Sequence, residues 1–419
     1  MNRTARIFAV GNELTEGKVV DTNSARIARA LIALGFTIDG MRVLPDDTAI
    51  LTAAFRQAAG TVALVVITGG LGPTVDDLTK ETLAAAFDRP LAEDARAWEM
   101  ILERFKSFGR APGPNNRKQA LLPAGAEPFY NTCGTAPGLG LAAGGTHFCV
   151  MPGVPREMEA MLATSLIPYA VRHLGRGPAV TERVFKTFGI GESDVGRIVE
   201  AQMARGRDPR VDVTVQEGVV TVKLAAGPAA DPARIAADIE HIRTGLGAHI
   251  WTEKDESLAA NVWALLRGRD FTLALAESCT GGMAAAGLVA VPGCSEVLIE
   301  SVVAYANSSK RSRLGVSTET LSAQGAVSEA VVREMAEGVR RTSGASIGAA
   351  VSGIAGPGGG TDAKPVGTVW FAVAAGGYLQ THTRVLPYER DTIRSRATGI
   401  LYWMIRECAL KAAARRMTS

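Results

Sequence analysis

At 419 residues the chain is longer than one typical domain of ~150 residues, which predicts two or three domains. Hydrophobic residues make up 47% and charged residues 21%, enough to build buried cores and enough to exclude a disordered chain, a coiled coil or collagen. Lys and Arg exceed Asp and Glu by three (45 − 42), too small a margin to make a polyanion the default partner, so direct nucleic-acid contact is not expected.

Five cysteines (Cys133, Cys149, Cys279, Cys294, Cys408) form no Cys-x-x-Cys pair. That argues against a disulfide framework or a zinc knuckle and for a reducing compartment. The apolar run Ile7–Val10 is too short for a signal peptide core. The uncharged stretch between Glu277 and Glu296 is broken by Ser278, Gly281-Gly282 and Pro292-Gly293. A cytoplasmic protein without a membrane segment is expected.

In chain order, residues 5–10 read as a short buried strand, 24–34 as a helix stopped by Gly35, 36–44 as a strand, 49–59 as a helix and 62–68 as an apolar strand. A helix is expected over 77–87. Strands alternating with helices predict a parallel, doubly wound α/β sheet, whose ligand loops lie beyond the carboxyl ends of its strands. From about Thr181 the order becomes strand, helix, hairpin around Glu217-Gly218, helix, which resembles a small split-βαβ domain. A charged link, Trp251–Ser257, precedes a third α/β block. The expected domains are 1–179, 180–252 and 253–419.

Two loops of the first domain carry glycine together with carboxylates. Gly69, Gly70 and Gly72 allow close backbone approach to a ligand, and free N–H groups at the following helix start suit a phosphate. Asp76 and Asp77 at the same point suit a phosphate only with a divalent cation between them. Glu13, with Asp21 nearby, adds oxygen ligands of the hard type that Mg²⁺ or Co²⁺ accepts. The alternative is that the two aspartates only cap the helix. Gly11-Asn-Glu-Leu14, Thr68-Gly-Gly-Leu-Gly-Pro-Thr-Val-Asp-Asp77, Asn131–Gly138 and Met151-Pro-Gly-Val-Pro-Arg-Glu157 together resemble the amino-terminal domain of the CinA family, which is similar to molybdopterin-binding folds. The resemblance implies a metal-dependent pyrophosphatase that splits ADP-ribose into AMP and ribose 5-phosphate. A domain that binds a pterin or nucleotide without turnover is the other option.

In the third domain a predicted strand ends at Glu277-Ser278-Cys279-Thr280-Gly281-Gly282 before an Ala-rich helix. A Ser at such a turn is placed like a nucleophile whose neighbouring N–H groups receive an oxyanion. Its base is not an obvious histidine, since His382 is the only one in this domain and no motif surrounds it. Lys310 is the candidate, because desolvation lowers an ammonium pKa and Ser-Lys pairs are a known variant of the triad. The alternative is a solvated helix residue beside Arg311 and Arg313. Cys279 is a rival nucleophile.

Ala276-Glu-Ser-Cys-Thr-Gly-Gly282, Gly325-Ala-Val-Ser328, Ser352-Gly-Ile-Ala-Gly-Pro357 and Lys364-Pro-Val-Gly-Thr368 resemble the carboxy-terminal CinA domain, which is similar to nicotinamide-nucleotide amidohydrolases. That resemblance implies catalytic Ser278, Lys310 and Tyr305. It implies substrate contacts from Ser295, Ser352, Thr280, Gly281, Gly282 and Arg390, and no cofactor for the amidase. Nicotinamide mononucleotide and ADP-ribose are the expected small-molecule partners, in an assembly of identical subunits. An accessory role in DNA uptake or recombination is the reading from another class.

Overall fold

The computed structural model describes residues 3–416 apart from 179–180, 217 and 228. The chain divides into two compact units, Met1–Thr181 with Gly227–Ala229, and Glu182–Ala226 with Ala230–Ser419. The middle and third blocks of the sequence therefore share one unit. The expected boundary at 179/180 and the Glu217 side of the hairpin turn lie outside the described residues.

In the first unit, six strands lie in the order Thr37–Leu44, Thr4–Val10, Leu64–Thr68, Thr146–Met151, Gly138–Ala143, Glu127–Phe129. The first four are parallel, Gly138–Ala143 runs against them, and Glu127–Phe129, antiparallel to it, runs with them again. Successive side chains of a strand point to opposite faces, so Phe8, Val65 and Ile67 fill one core with Phe55 and Phe148, while Ile7, Leu64 and Val66 fill the other with Ile27, Met158 and Tyr169. Thr4–Val10 is followed in sequence by its neighbour on one side and then by its neighbour on the other. Strand order reverses there, opening a crevice at the carboxyl ends.

The helix expected over 77–87 begins instead at Thr79, with Leu78 at the N-cap position and no side-chain cap. Asp76 and Asp77 belong to the preceding turn, where Asp77 accepts from the N–H and hydroxyl of Thr74. Neither aspartate caps the helix. Sequence reasoning placed no element between 88 and 130. That stretch holds a helix, Ala95–Ser107, capped by Asp94 through Ala97 N–H at 2.7 Å.

In the second unit, the middle block forms a four-stranded sheet in the order Arg210–Gln216, Val219–Ala226, Thr181–Thr187, Ile250–Thr252. The expected link from Trp251 is corrected at its start. Ile250–Thr252 pairs antiparallel with Thr181–Thr187, and Trp251 is buried. The charge that suggested a link begins only at Glu253. The first helix of the middle block spans Glu192–Val199 and tightens into a 3₁₀ turn, Glu200–Met203.

The third block has five strands in the order Leu298–Val303, Leu273–Glu277, Ile347–Gly353, Thr368–Ala375, Tyr378–Val385. Its first three strands are parallel and the remaining pairings antiparallel. Leu273–Glu277 again sits where strand order reverses. The helix Arg390–Arg416 is fastened by Tyr402, whose hydroxyl donates to Ala284 O at 2.6 Å. Among the described residues no helix is long and apolar enough to cross a membrane.

Helix Asn307–Leu314 is held close by Gly338 of helix Glu329–Ser343, where a Cβ would stand 1.9 Å from Leu314 O. A helical Gly→Ala change ordinarily gains ~1 kcal/mol. For Gly338→Ala the clash reverses that sign, and overpacking lowers stability by about 1–3 kcal/mol. Gly358→Ala, with open space around it, is the neutral control. Denaturant midpoints of the two variants measure the difference.

Candidate active sites

The carboxyl end of Leu273–Glu277 carries Ser278, only 8% exposed, between two neighbouring parallel strands. Its backbone N–H donates to Val351 O at 3.0 Å, which fixes the turn on the next strand. Lys310 enters from helix Asn307–Leu314 and is 1% exposed, so it is not the solvated residue its sequence neighbours suggested. Its Nζ lies 3.1 Å from Ser278 Oγ, 2.8 Å from Ala304 O and 3.0 Å from Tyr305 O. Burial pulls its pKa below the ordinary lysine value, opposed only by the Cys279 sulfur. Two carbonyl oxygens and the serine hydroxyl thus surround the lysine nitrogen at hydrogen-bond distance.

Glu277 is fully buried, with no ion pair among the described residues. Its carboxylate accepts from Thr280 Oγ1 at 2.7 Å and from the N–H groups of Gly282, Ala284 and Ala285 at 3.0, 3.1 and 2.8 Å. The N–H groups at the start of helix Met283–Val289, expected to receive an oxyanion, are therefore occupied. So is the Thr280 hydroxyl. Gly281 N–H bonds to Ser278 O. The N–H of Cys279 has no backbone acceptor among the described residues, and Cys279 directly follows Ser278, the position of a usual oxyanion donor. The Cys279 thiol itself is buried, which pushes its pKa up to about 12 and keeps it protonated.

The remaining expected residues divide. Arg390 reaches the rim, donating to Gly356 O at 2.5 Å and to Tyr305 Oη at 3.4 Å, and Arg394 donates to Thr280 O at 3.2 Å. Tyr305 is exposed at the mouth, and what it gives the base is its backbone carbonyl. Ser352 is buried with its hydroxyl committed to Ala326 O at 2.8 Å. It supports the 325–328 turn, which Lys364 also holds through Gln324 O and Val327 O. Ser295 is not brought to the site. It precedes strand Leu298–Val303, whereas Ser278 follows its parallel partner, so the two lie at opposite ends of the sheet.

The crevice of the first unit is a cavity of about 500 Å³ lined by Gly69, Gly70, Gly72, Glu13, Asp76 and Asp77, all expected, and by Asp21, Asn23, Asp46 and Glu157. Gly69 has φ +110°, and a Cβ there would stand 2.1 Å from Val10 O, so the loop can lie against the first strand only with glycine. Asp46 was missed. It follows strand Thr37–Leu44 in the doublet Asp46-Asp47, of which Asp47 caps the next helix and Asp46 faces the cavity. Burial raises the pKa of Asp46, and the charges of Glu13, Asp76 and Asp77 raise it further against the Asn12 N–H bond that lowers it. Asn23 donates to Thr68 Oγ1 and Gly153 O, and its buried Oδ1 has no partner among the described residues.

These oxygen donors match a hard divalent cation in chemistry. Among the described residues no three His, Cys, Asp or Glu side chains are grouped for one ion.

Fold and sites define a multidomain α/β protein with enzyme-like clefts at two strand-order reversals. Three family models match along the chain: "Probable molybdopterin binding domain" over 6–172, "Damage-inducible protein CinA KH domain" over 182–252 and "CinA C-terminal domain" over 255–409. A competence-damage inducible protein of Moorella thermoacetica is 38% identical over 96% of this chain and 97% of its own. A CinA-like protein of Parasynechococcus marenigrum is 43% identical over 88% of each. A solved competence damage-inducible protein from Klebsiella pneumoniae is 40% identical, covering 36% of this chain and 93% of its own, with a TM-score of 0.35. The chain belongs to the CinA family. The Gly-x-x-Gly clamp with which KH modules hold nucleotides does not occur in 182–252.

Glu277→Gln replaces one acceptor oxygen by an NH₂ group facing N–H donors. Leaving buried donors unsatisfied lowers stability by about 1–3 kcal/mol. The variant is expected to have a lower denaturant midpoint, and Ser301→Ala, which removes only a 3.5 Å contact to Glu277, is expected to change it far less.

Proposed function

We propose that the second unit is an amidohydrolase of nicotinamide mononucleotide, with Ser278 as nucleophile and Lys310 as base. The observation that supports this most directly is the 3.1 Å contact between a buried amine and a serine hydroxyl at the end of a central strand. Neutral Lys310 takes the hydroxyl proton as Ser278 Oγ bonds to the carboxamide carbon, and the oxyanion meets Cys279 N–H. The resulting ammonium protonates the departing nitrogen, ammonia leaves, and an ester to Ser278 remains. Lys310 then takes a proton from water, whose oxygen attacks the ester. Nicotinate mononucleotide departs and Ser278 recovers its proton. Arg390 and Arg394 at the mouth suit the substrate phosphate.

For the first unit we propose hydrolysis of ADP-ribose to AMP and ribose 5-phosphate. One or two of the carboxylates of Glu13, Asp46, Asp76 and Asp77, with water completing the shell, would hold a divalent cation, which when bound would neutralise phosphate charge beside them. The glycine loop brings backbone N–H groups to the same phosphates. Small nucleotides are the proposed partners of both sites.

Ser278→Ala and Lys310→Met are each expected to remove most ammonia release from nicotinamide mononucleotide, and the double variant to be little worse, because residues acting as one unit are non-additive. Cys279→Ser is expected to stay active; an inactive Cys279→Ser beside an active Ser278→Ala would move the nucleophile to the thiol. Since burial lowers the Lys310 pKa, the neutral base is present from a lower pH than an ordinary lysine at ~10.4 allows. The pH profile of kcat/KM should fall on the acid side with a midpoint below that value. Chelator and Asp46→Asn or Asp76→Asn are expected to stop ADP-ribose cleavage and spare the amidase. Asp76 is a cleaner probe than Asp77, which also holds its own turn.

A further inference from the structure

Besides the two catalytic clefts, the second unit holds a cavity of about 460 Å³, within the usual range for small-ligand sites. One wall comes from the middle block, at Phe188–Gly191 and Gly218, and the other from strand Tyr378–Val385 and helix Arg390–Arg416. The sequence pattern that builds it is regular. Gln380, His382 and Arg384 alternate on one face of an edge strand, and Arg396, Ile400, Trp403, Glu407 and Lys411 recur at helical spacing on one face of the helix. Neither set is used by the proposed reactions.

The cavity has three kinds of surface. Phe188 and Trp403 stack at 5.1 Å with their planes 19° apart and give a flat apolar wall, continued by Ile190 and Ile400. The side chains of Arg384 and Lys411 have no ion pair or hydrogen bond among the described residues, and Arg396, whose guanidinium lies over the Tyr388 ring at 4.1 Å, has its Nε buried without an acceptor. Against these three cations stands one carboxylate, Glu407, already paired with Arg406 at 3.1 Å. A buried guanidinium nitrogen without an acceptor is costly unless a ligand supplies one. The matching ligand has a flat ring for the aromatic wall, hydroxyls for Glu407 and an anionic group for the guanidinium forks.

We propose that this cavity is a separate binding site for a mononucleotide. Its helix also carries Arg390 and Arg394 into the mouth above Ser278, two residues before Arg396, so occupancy would be felt at the amidase entrance. That last consequence rests on the amidase reading; binding itself does not.

The test titrates the full chain with AMP while following tryptophan fluorescence, with Trp403→Phe to identify the part of the signal that comes from this wall. A saturable Trp403-dependent change is expected, and Arg384→Gln and Arg396→Gln should each weaken it about tenfold or more, the loss of a charge-assisted bond. Ser278→Ala and Asp76→Asn should leave it unchanged. Where Arg396→Gln does not fold, Arg384→Gln and Lys411→Gln, both at exposed side chains, carry the same expectation. The proposal is overturned if AMP gives no Trp403-dependent change, if the arginine variants bind as wild type, or if a single-stranded oligonucleotide uses these residues while AMP does not. In each of those cases ammonia release by the wild-type chain would still stand.

Discussion

The second unit is organised around the burial of one ammonium-bearing side chain. Lys310 can lie with 1% exposure only because Ala304 O, Tyr305 O and Ser278 Oγ meet its nitrogen within 3.1 Å. Those three oxygens come from the ends of two adjacent parallel strands, so the sheet register is what brings them together. Gly338 presses the lysine's helix into place, and the buried Glu277 shapes the turn that presents the serine. Remove any one of these supports and a desolvated amine is left with a missing partner, which is more expensive than never having buried it.

Both units reach their clefts by the same topological route. In each, the central strand has one sequence neighbour on one side and a later strand on the other, so consecutive loops diverge and leave room beyond the strand ends. The chemistry placed in that room differs. The first unit concentrates carboxylates, and burial first, then the charges of Glu13, Asp76 and Asp77, raise the pKa of Asp46. The second holds a single buried amine and a pair of arginines at the rim. On the proposed readings, one cleft takes a cation and the other an anion with a neutral reacting end.

Much of the α/β frame was legible because buried strands such as Leu64–Thr68 and Leu273–Glu277 are short apolar runs bounded by glycine or polar turns. Local polarity misled where tertiary contacts decide. Asn307–Leu314 is one of the most hydrophilic segments of the chain, and nothing within it indicates that Lys310 turns inward together with Leu314. Trp251 opened what read as a charged link because the strand there is only three residues long. Asp46 stood in a doublet after a strand, a signal that could have been used once Thr37–Leu44 was seen to lie beside Thr4–Val10. Ser295 came from a motif carried over by resemblance, and parallel pairing puts a residue before one strand far from a residue after its neighbour. Thr280 and the helix-start N–H groups looked available because sequence does not reveal that Glu277 folds back upon them.

The residue beside the nucleophile has a consequence under chemical stress. Sulfur chemistry with peroxides and electrophiles proceeds through the thiolate, and a thiol held near pKa 12 and almost closed to solvent supplies very little of it. On the proposed reading, a hydrolase built on serine, with the adjacent sulfur kept inert, would retain its reacting group when oxidants titrate accessible cysteines elsewhere. The proposed amidase cleft should thus be insensitive to redox state, with the tight packing around Ser278 and Lys310 also shielding it.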